Sequence, residues 1–314
     1  MRTPLRAECP PCHLVLPGGP HITTHAQSVG PEAPSSLLEF GTDVATRSRW
    51  FVLASFQHPA KLHLGLLSWL LDRYTMPGET IADPMAGSGS VLFAATMQRQ
   101  VIAREIEPRW LDLLRANAVH ITAHAGLFAG QIDTGQADAR EPWGYQADHI
   151  VFSPPYGNEA SATPDGRRML PYRLHQLTVP YDRRWQHIVD HPTPGAMGAV
   201  TFHYGTHPNQ IGHFRGARYW QAMRLIYTQA YLSLRPQGSL ILIVKDHIRE
   251  GKRVATTATT ISVCEELGFS LHTHHQRHLH NLSLWQRRRK ERSEPVIEEE
   301  DVLIFRKHQE EIPR

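Results

Sequence analysis

Sorted by the spacing of its apolar positions, the chain opens without a pattern, alternates strands with helices, loses its period, and then recovers it. In HPAKLHLGLLSWLLDRYT, residues 58–75, Leu62, Leu66 and Leu70 recur with Leu67 and Leu71 at helical spacing. Pro59 suits a first helical position and Pro77-Gly78 stops the run, so an amphipathic helix is predicted here. The next stretch, ETIADPMAGSGSVLFAATMQRQVIAREIEPRWLDLLRANAV, reads as a short apolar strand to Asp83, a glycine turn and a small-residue helix. A strand ending near Glu105 and a further helix follow. Strand and helix in alternation predict a parallel sheet.

The apolar run HIVF, residues 149–152, supplies another strand and delivers the chain into SPPY. Residues 157–218 are rich in Arg, His, Tyr, Gly and Pro without a period, which reads as an insertion on the open edge of the sheet. Order resumes in YWQAMRLIYTQAYLSL, residues 219–234, where Met223, Tyr227 and Tyr231 recur at helical spacing. RPQG then makes a turn and SLILIVKD a buried strand. TTISVCEELGFSLHTHH gives a helix, a cap at Gly268 and a strand, and EEEDVLIFRK, residues 298–307, a last strand. Four segments result: a loosely ordered extension over 1–36, a ligand-binding half over 37–156, the insertion over 157–218, and a second half over 219–314.

Composition narrows the class only modestly. A chain of 314 residues can bury a large core without disulfides, and its three cysteines, Cys9, Cys12 and Cys264, are too few to form a framework of them. The formal charge of +3 permits a polyanionic partner without demanding one. No apolar run is long enough to span a bilayer and the N-terminus lacks a signal-peptide core, so a cytoplasmic protein with no membrane partner is expected. Cys9, Cys12, His21 and His25 are zinc-ligand types, but their middle spacing is short for a finger, and no metal is expected. HTHHQRHLH, residues 272–280, reads as a surface facing nucleic acid rather than a metal site.

Candidate chemistry gathers at strand ends. In DPMAGSGS, residues 83–90, Gly87 and Gly89 give the backbone conformations and clearance that side chains would block, with Pro84, Met85 and Ser88 in the same turn. The helix after the turn is expected to aim free N–H groups at a ligand. Glu105, ending the next strand, is placed to accept ribose hydroxyls, and Asp138 the amino group of an adenine; the competing reading is that both acids only cap helices. Asp83, directly before the turn, would repel a phosphate and receive a cationic amino group. No G-K-[ST] follows the turn, which excludes a P-loop. Pro154 and Pro155 make a stiff corner with no N–H of its own, so its carbonyls need partners from elsewhere.

DPMAGSGS, Glu105 and Ser153-Pro154-Pro155-Tyr156 together resemble the motifs of amino-group DNA methyltransferases that use S-adenosylmethionine. The likeness covers residues 56–156 well and 219–307 by general layout. It implies a class I methyltransferase fold: a Rossmann-like α/β, mostly parallel seven-stranded sheet, with helices on both faces and an insertion after the fourth strand. S-adenosylmethionine is then the cofactor, and His58, Pro59 and Lys61 of the HPAK segment touch its methionine end. An exocyclic amine is a poor nucleophile, because its lone pair is delocalised into the ring. Acceptors on its N–H bonds, here the Ser153 hydroxyl and the Pro154 carbonyl, draw that lone pair out, while Tyr156 stacks on the flipped base. By resemblance, Ser at the first position favours cytosine N4, with adenine N6 the alternative.

The expected partner is double-stranded DNA, which leaves room for a cognate restriction endonuclease. Arg167, Arg168, Arg183, Arg184 and Arg215 sit in the insertion beside Tyr172, Tyr181, Trp185 and Tyr204, a mixture suited to phosphates and bases. Arg287, Arg288 and Arg289 form a second basic run. Two rival functions fit the same motifs: an RNA enzyme, such as a methylase of a tRNA guanine amino group, and a nucleic-acid-binding protein that has lost the chemistry.

Overall fold

The computed structural model describes residues 37–58, 60–155, 205, 207–249, 251–279 and 290–307, together with the backbone of 168–171 and 199–202. Strands β1 (Leu37–Leu38), β2 (Thr80–Asp83), β3 (Gln100–Glu105), β4 (Ile132–Gln136), β5 (Ala147–Phe152), β8 (Leu234–Val244), β11 (Phe269–His278) and β12 (Glu299–Lys307) form one sheet. Their order is β1-β11-β12-β8-β5-β2-β3-β4. Only β12 runs against the rest, pairing antiparallel with both β8 and β11. This is the class I methyltransferase fold, with the two-residue β1 added parallel to β11 as an eighth strand at the edge.

Two cores cover the two faces, and the strand period of two assigns residues to them. Ile81, Val101, Val151, Ile241, Ile243 and Ile304 face α1 (Val44–Trp50), α2 (Leu64–Tyr74) and α3 (Pro108–Ala125). Their neighbours Ala82, Ile150, Phe152, Leu240, Leu242 and Phe305 face α4 (Gly216–Ser233) and α5 (Thr256–Glu266). The central strand β8 is therefore buried on both sides from Ser239 to Val244, which is why it reads as a continuous apolar run.

Several expectations shift in detail. Helix α2 begins at Leu64, not at Pro59: His63 is its cap, with Nδ1 accepting from the N–H groups of Gly65 and Leu66 at 3.1 and 3.3 Å. The segment after the glycine turn is a 3₁₀ helix, Ser90–Met97. The third parallel strand, β4, is IDTGQ, an edge strand with no fully buried residue and so no apolar signature. In the insertion, β6 (Arg168–Pro171) and β7 (Ala199–Phe202) pair as an antiparallel ribbon; after β8, β9 (His247–Arg249) pairs with β10 (Lys252–Val254). The histidines of β11 are not a simple outer face: His275 is buried and hydrogen-bonded to the Tyr74 hydroxyl at 2.6 Å, and His274 pairs with Asp301 at 2.7 Å. A strand between two neighbours must bury part of its width, whatever its polarity. No helix among the described residues is long and apolar enough to cross a membrane.

Candidate active site

Strands β2, β3 and β4 build the sheet in one direction and β5 and β8 in the other, so the direction of travel reverses between β2 and β5. Ligands of open α/β sheets bind beyond the carboxyl ends of the strands at such a switch point. The glycine turn leaves β2 there and the Ser153-Pro154-Pro155 corner leaves β5. The two strands are hydrogen-bonded parallel neighbours, in register at Ile81 with His149 and Ala82 with Ile150. Topology thus brings together two motifs far apart in sequence.

The turn is built on left-handed backbone, with φ +56° at Gly87 and +90° at Gly89. Its donors turn inward. The Ala86 N–H bonds the Arg104 carbonyl at 2.8 Å, the Gly87 N–H bonds Glu105 Oε2 at 2.7 Å, and the Gly89 N–H bonds the Ala86 carbonyl at 2.8 Å. These three are therefore not free for an anion. Pro84 and Ser88 are buried, and Met85 donates its N–H to Asp83 Oδ1 at 2.9 Å.

What the site holds instead is a pair of carboxyls out of water. Asp83 is 6% and Glu105 5% exposed. Burial first, and the neighbouring Glu105 charge, push the Asp83 carboxyl up to about 8. Burial also raises Glu105, against the backbone N–H groups that bond it. Glu105 Oε1 accepts the N–H groups of Ile106 and Glu107, both at 2.9 Å, at the entrance to α3. A carboxylate offers about four acceptor sites. With three used, Glu105 retains room for one further hydroxyl rather than a pair.

His58 packs on the turn, while Lys61 bonds back onto its own segment. A Cβ placed on Gly87 would lie 2.7 Å from His58 Nε2, so the imidazole packs directly on that glycine. Trp110 meets the ring edge-on at 4.6 Å, and His58 Nδ1 contacts the Ala60 carbonyl. Burial lowers the His58 pKa to about 3. Lys61 Nζ donates to the His58 carbonyl at 2.5 Å, and burial with nearby Arg47 lowers its pKa to about 8.

Two buried polar residues that the sequence did not flag hold this wall together. Asn117 of α3 donates Nδ2 to the Ser88 carbonyl at 2.6 Å and accepts the Val52 N–H at 2.9 Å, joining the turn to the segment before His58. Arg47 of α1 donates to Ser90 Oγ at 3.1 Å, Asp43 at 2.8 Å and the Leu62 carbonyl at 2.7 Å. Their only sequence signal is a polar residue on an apolar helix face, which by itself names no partner.

Asp138 lies beyond β4 with its carboxylate already filled. Oδ1 accepts the Arg140 N–H at 3.1 Å and Nε at 2.9 Å; Oδ2 accepts Arg140 Nη2 at 2.5 Å and Asn209 Nδ2 at 3.1 Å. Arg140 accordingly holds its carboxyl below the usual range. An adenine amino group would have to displace Asn209. The chain returning from the insertion is also clasped to Glu107, whose Oε1 accepts the His207 N–H at 2.9 Å. Farther along, Phe214 is buried with Arg218 over its ring at 3.8 Å and Arg140 at 5.7 Å.

At the corner, Pro154 is buried while Ser153 and Pro155 are half-buried. The Tyr219 hydroxyl donates to the Pro155 carbonyl at 2.9 Å. Among the described residues nothing bonds the Ser153 hydroxyl or the Pro154 carbonyl. Pro59, Tyr156, Arg167, Arg183, Arg184 and Arg287–Arg289, with Cys9, Cys12, His21 and His25, lie outside the described residues, and Arg168 is placed only as the first residue of β6. Among the described residues no cluster suits a metal ion.

No protein-family model and no curated protein matches the chain. Similar solved structures include TrmN from Thermus thermophilus, at 17% identity and TM-score 0.43, over 83% of this chain and 53% of that one. A SAM-dependent methyltransferase from Methanosarcina mazei shares 13% identity at TM-score 0.45, over 77% and 98%. A methyltransferase from Pyrococcus furiosus shares 12% at 0.44, over 80% and 87%. The chain spans about half the length of TrmN.

Proposed function

We propose that the chain is an S-adenosylmethionine-dependent methyltransferase whose acceptor is an exocyclic amino nitrogen of a nucleobase. The observation that carries this reading is the meeting, at the switch point, of a buried acid pair without a cationic partner among the described residues on one side and free acceptors on a stiff corner on the other.

The residues suit the cofactor by charge. Two carboxyls in low dielectric, one raised to about 8, favour a ligand that brings positive charge and hydroxyl donors. Inward-turned N–H groups disfavour a pyrophosphate. Asp83 would take the α-ammonium group and Glu105 one ribose hydroxyl, and the His58 segment would border the methionine end. When bound, S-adenosylmethionine supplies a methyl group made electrophilic by its sulfonium.

The corner supplies the other half. Ser153 Oγ and the Pro154 carbonyl accept the two N–H bonds of the amine, which favours a pyramidal nitrogen and frees its lone pair. The prolines fix those acceptors in advance, so little ordering remains at binding. Neutral His58 carries no charge to compete for the acids at physiological pH. The finer reading is duplex DNA with cytosine N4 as target, resting on Ser153, with the base flipped out and stacked on Tyr156.

The test is to incubate the protein with S-adenosylmethionine and either duplex DNA or RNA, digest to nucleosides and identify the product by mass spectrometry. N4-methylcytosine in DNA is the expected product. N6-methyladenine, or an amino-methylated guanine in RNA, replaces the finer reading and keeps the general one. Cofactor binding without any methylated nucleoside overturns both. A Tyr156→Ala variant that methylates as well as the parent removes the stacking role.

A further inference from the structure

The corner after β5 has no way to hold itself. Pro154 and Pro155 lack N–H groups, the strand ladder ends at Phe152, and yet the corner must keep its carbonyls aimed to within a fraction of an ångström if it activates an amine. Among the described residues, one side-chain hydrogen bond is made to it: the Tyr219 hydroxyl donates to the Pro155 carbonyl at 2.9 Å.

Tyr219 is well suited to act as a fixed donor. It lies in the first turns of α4, is 4% exposed, and packs its ring edge against Trp220 at 5.2 Å. Burial raises its hydroxyl pKa above the ordinary value, so it stays protonated through the working pH range. A rigid ring on a helix carries little rotational freedom to lose. Its bond also joins the two ends of the insertion, because Pro155 precedes that segment and Tyr219 follows it.

We infer that Tyr219 is the positioning residue of the corner: its hydroxyl fixes the Pro155 peptide plane and thereby the direction in which Ser153 and Pro154 present their oxygens to the target amine. This rests on the proposed function. Tyr219 itself does not touch the substrate; it acts through the backbone.

The test is Tyr219→Phe in the full chain, which removes one oxygen and keeps the ring. The melting temperature should stay within about 3 °C of the parent. Cofactor Kd and nucleic-acid KM should change less than about twofold, while kcat falls roughly tenfold or more, since the loss is one of alignment. Hydrogen exchange of peptides covering 147–155 should quicken in the variant, and this readout does not depend on activity. Unchanged kcat in an active parent, or unchanged exchange, overturns the inference. So does a fall in kcat that only tracks a fall in stability and cofactor affinity. A parent that methylates nothing, with exchange still quickened by the variant, overturns the functional reading and leaves the hydrogen bond's role in holding the corner intact.

Discussion

Replacing Asp83 by Asn removes one ionisable group from the buried part of the site and changes little else. Asn keeps an oxygen for the Met85 N–H, which Asp83 now serves at 2.9 Å. In the cofactor-free protein, ionising Asp83 beside Glu105 is costly: a rise from 3.8 to about 8 corresponds to roughly 6 kcal/mol. The folded-state pKa is raised, so the stability tied to the protonated carboxyl is fully present below about pH 4 and is lost as pH rises toward 8. Asn never ionises and escapes this loss. The stability difference between Asp83→Asn and the parent should therefore grow between pH 5 and 8 by a few kcal/mol, or several °C in melting temperature.

Cofactor binding should show the opposite preference. A cationic amino group restores the charged carboxylate, so the parent releases close to one proton on binding at pH 7. Calorimetry in buffers of different ionisation enthalpy reads that proton directly. Asp83→Asn should release none and bind more weakly by about 10- to 100-fold, the worth of a charged hydrogen bond. A melting difference that is flat from pH 5 to 8, together with no proton release by the parent, would refute the claim that this acid waits for a cation.

Three further outcomes are expected. Gly87→Ala must hold an L residue at φ +56° and place its Cβ 2.7 Å from His58 Nε2, so cofactor affinity should drop by about 100-fold in calorimetry. Asn117→Ala strands the Ser88 carbonyl and the Val52 N–H in the interior, and chemical denaturation should show a loss of about 2–4 kcal/mol. His58, lowered to about 3 by burial, should show no titration of its ring proton between pH 5 and 8 by NMR; as pH falls below 6.5 toward 3, stability tied to its neutral form is lost.

Much of the second half was legible because burial on both faces leaves a plain mark. SLILIV is apolar at successive positions since β8 lies mid-sheet, and the helix preceding it buries Met223 and Tyr227 as its spacing indicates, with Tyr231 half-buried. Edge elements left no such mark. IDTGQ of β4 is half-wet, and β1 is two residues whose strand character comes from pairing with Gln276 and Arg277. The start of α2 departs from its local pattern for a related reason: Pro59 fits a helix entrance by local rules, yet the caps that act are His63 and Asp43, the latter reaching Leu64 from α1's own cap position.

Local sequence was enough to determine the strand–helix alternation, the left-handed glycine turn and the proton-free stiffness of the proline corner, because each follows from the backbone preferences of a few adjacent residues. It also named Asp83, Glu105 and Asp138 as acids at strand ends. Only the tertiary structure decided what those acids still have to offer. Asp138 is filled by Arg140 and Asn209, Glu105 has one place left, and Asp83 is left with its charge suppressed. Partners such as Asn209, Asn117 and Tyr219 arrive from distant parts of the chain, and hydrogen-bond capacity and desolvation depend on that assembled neighbourhood, which no local spacing encodes.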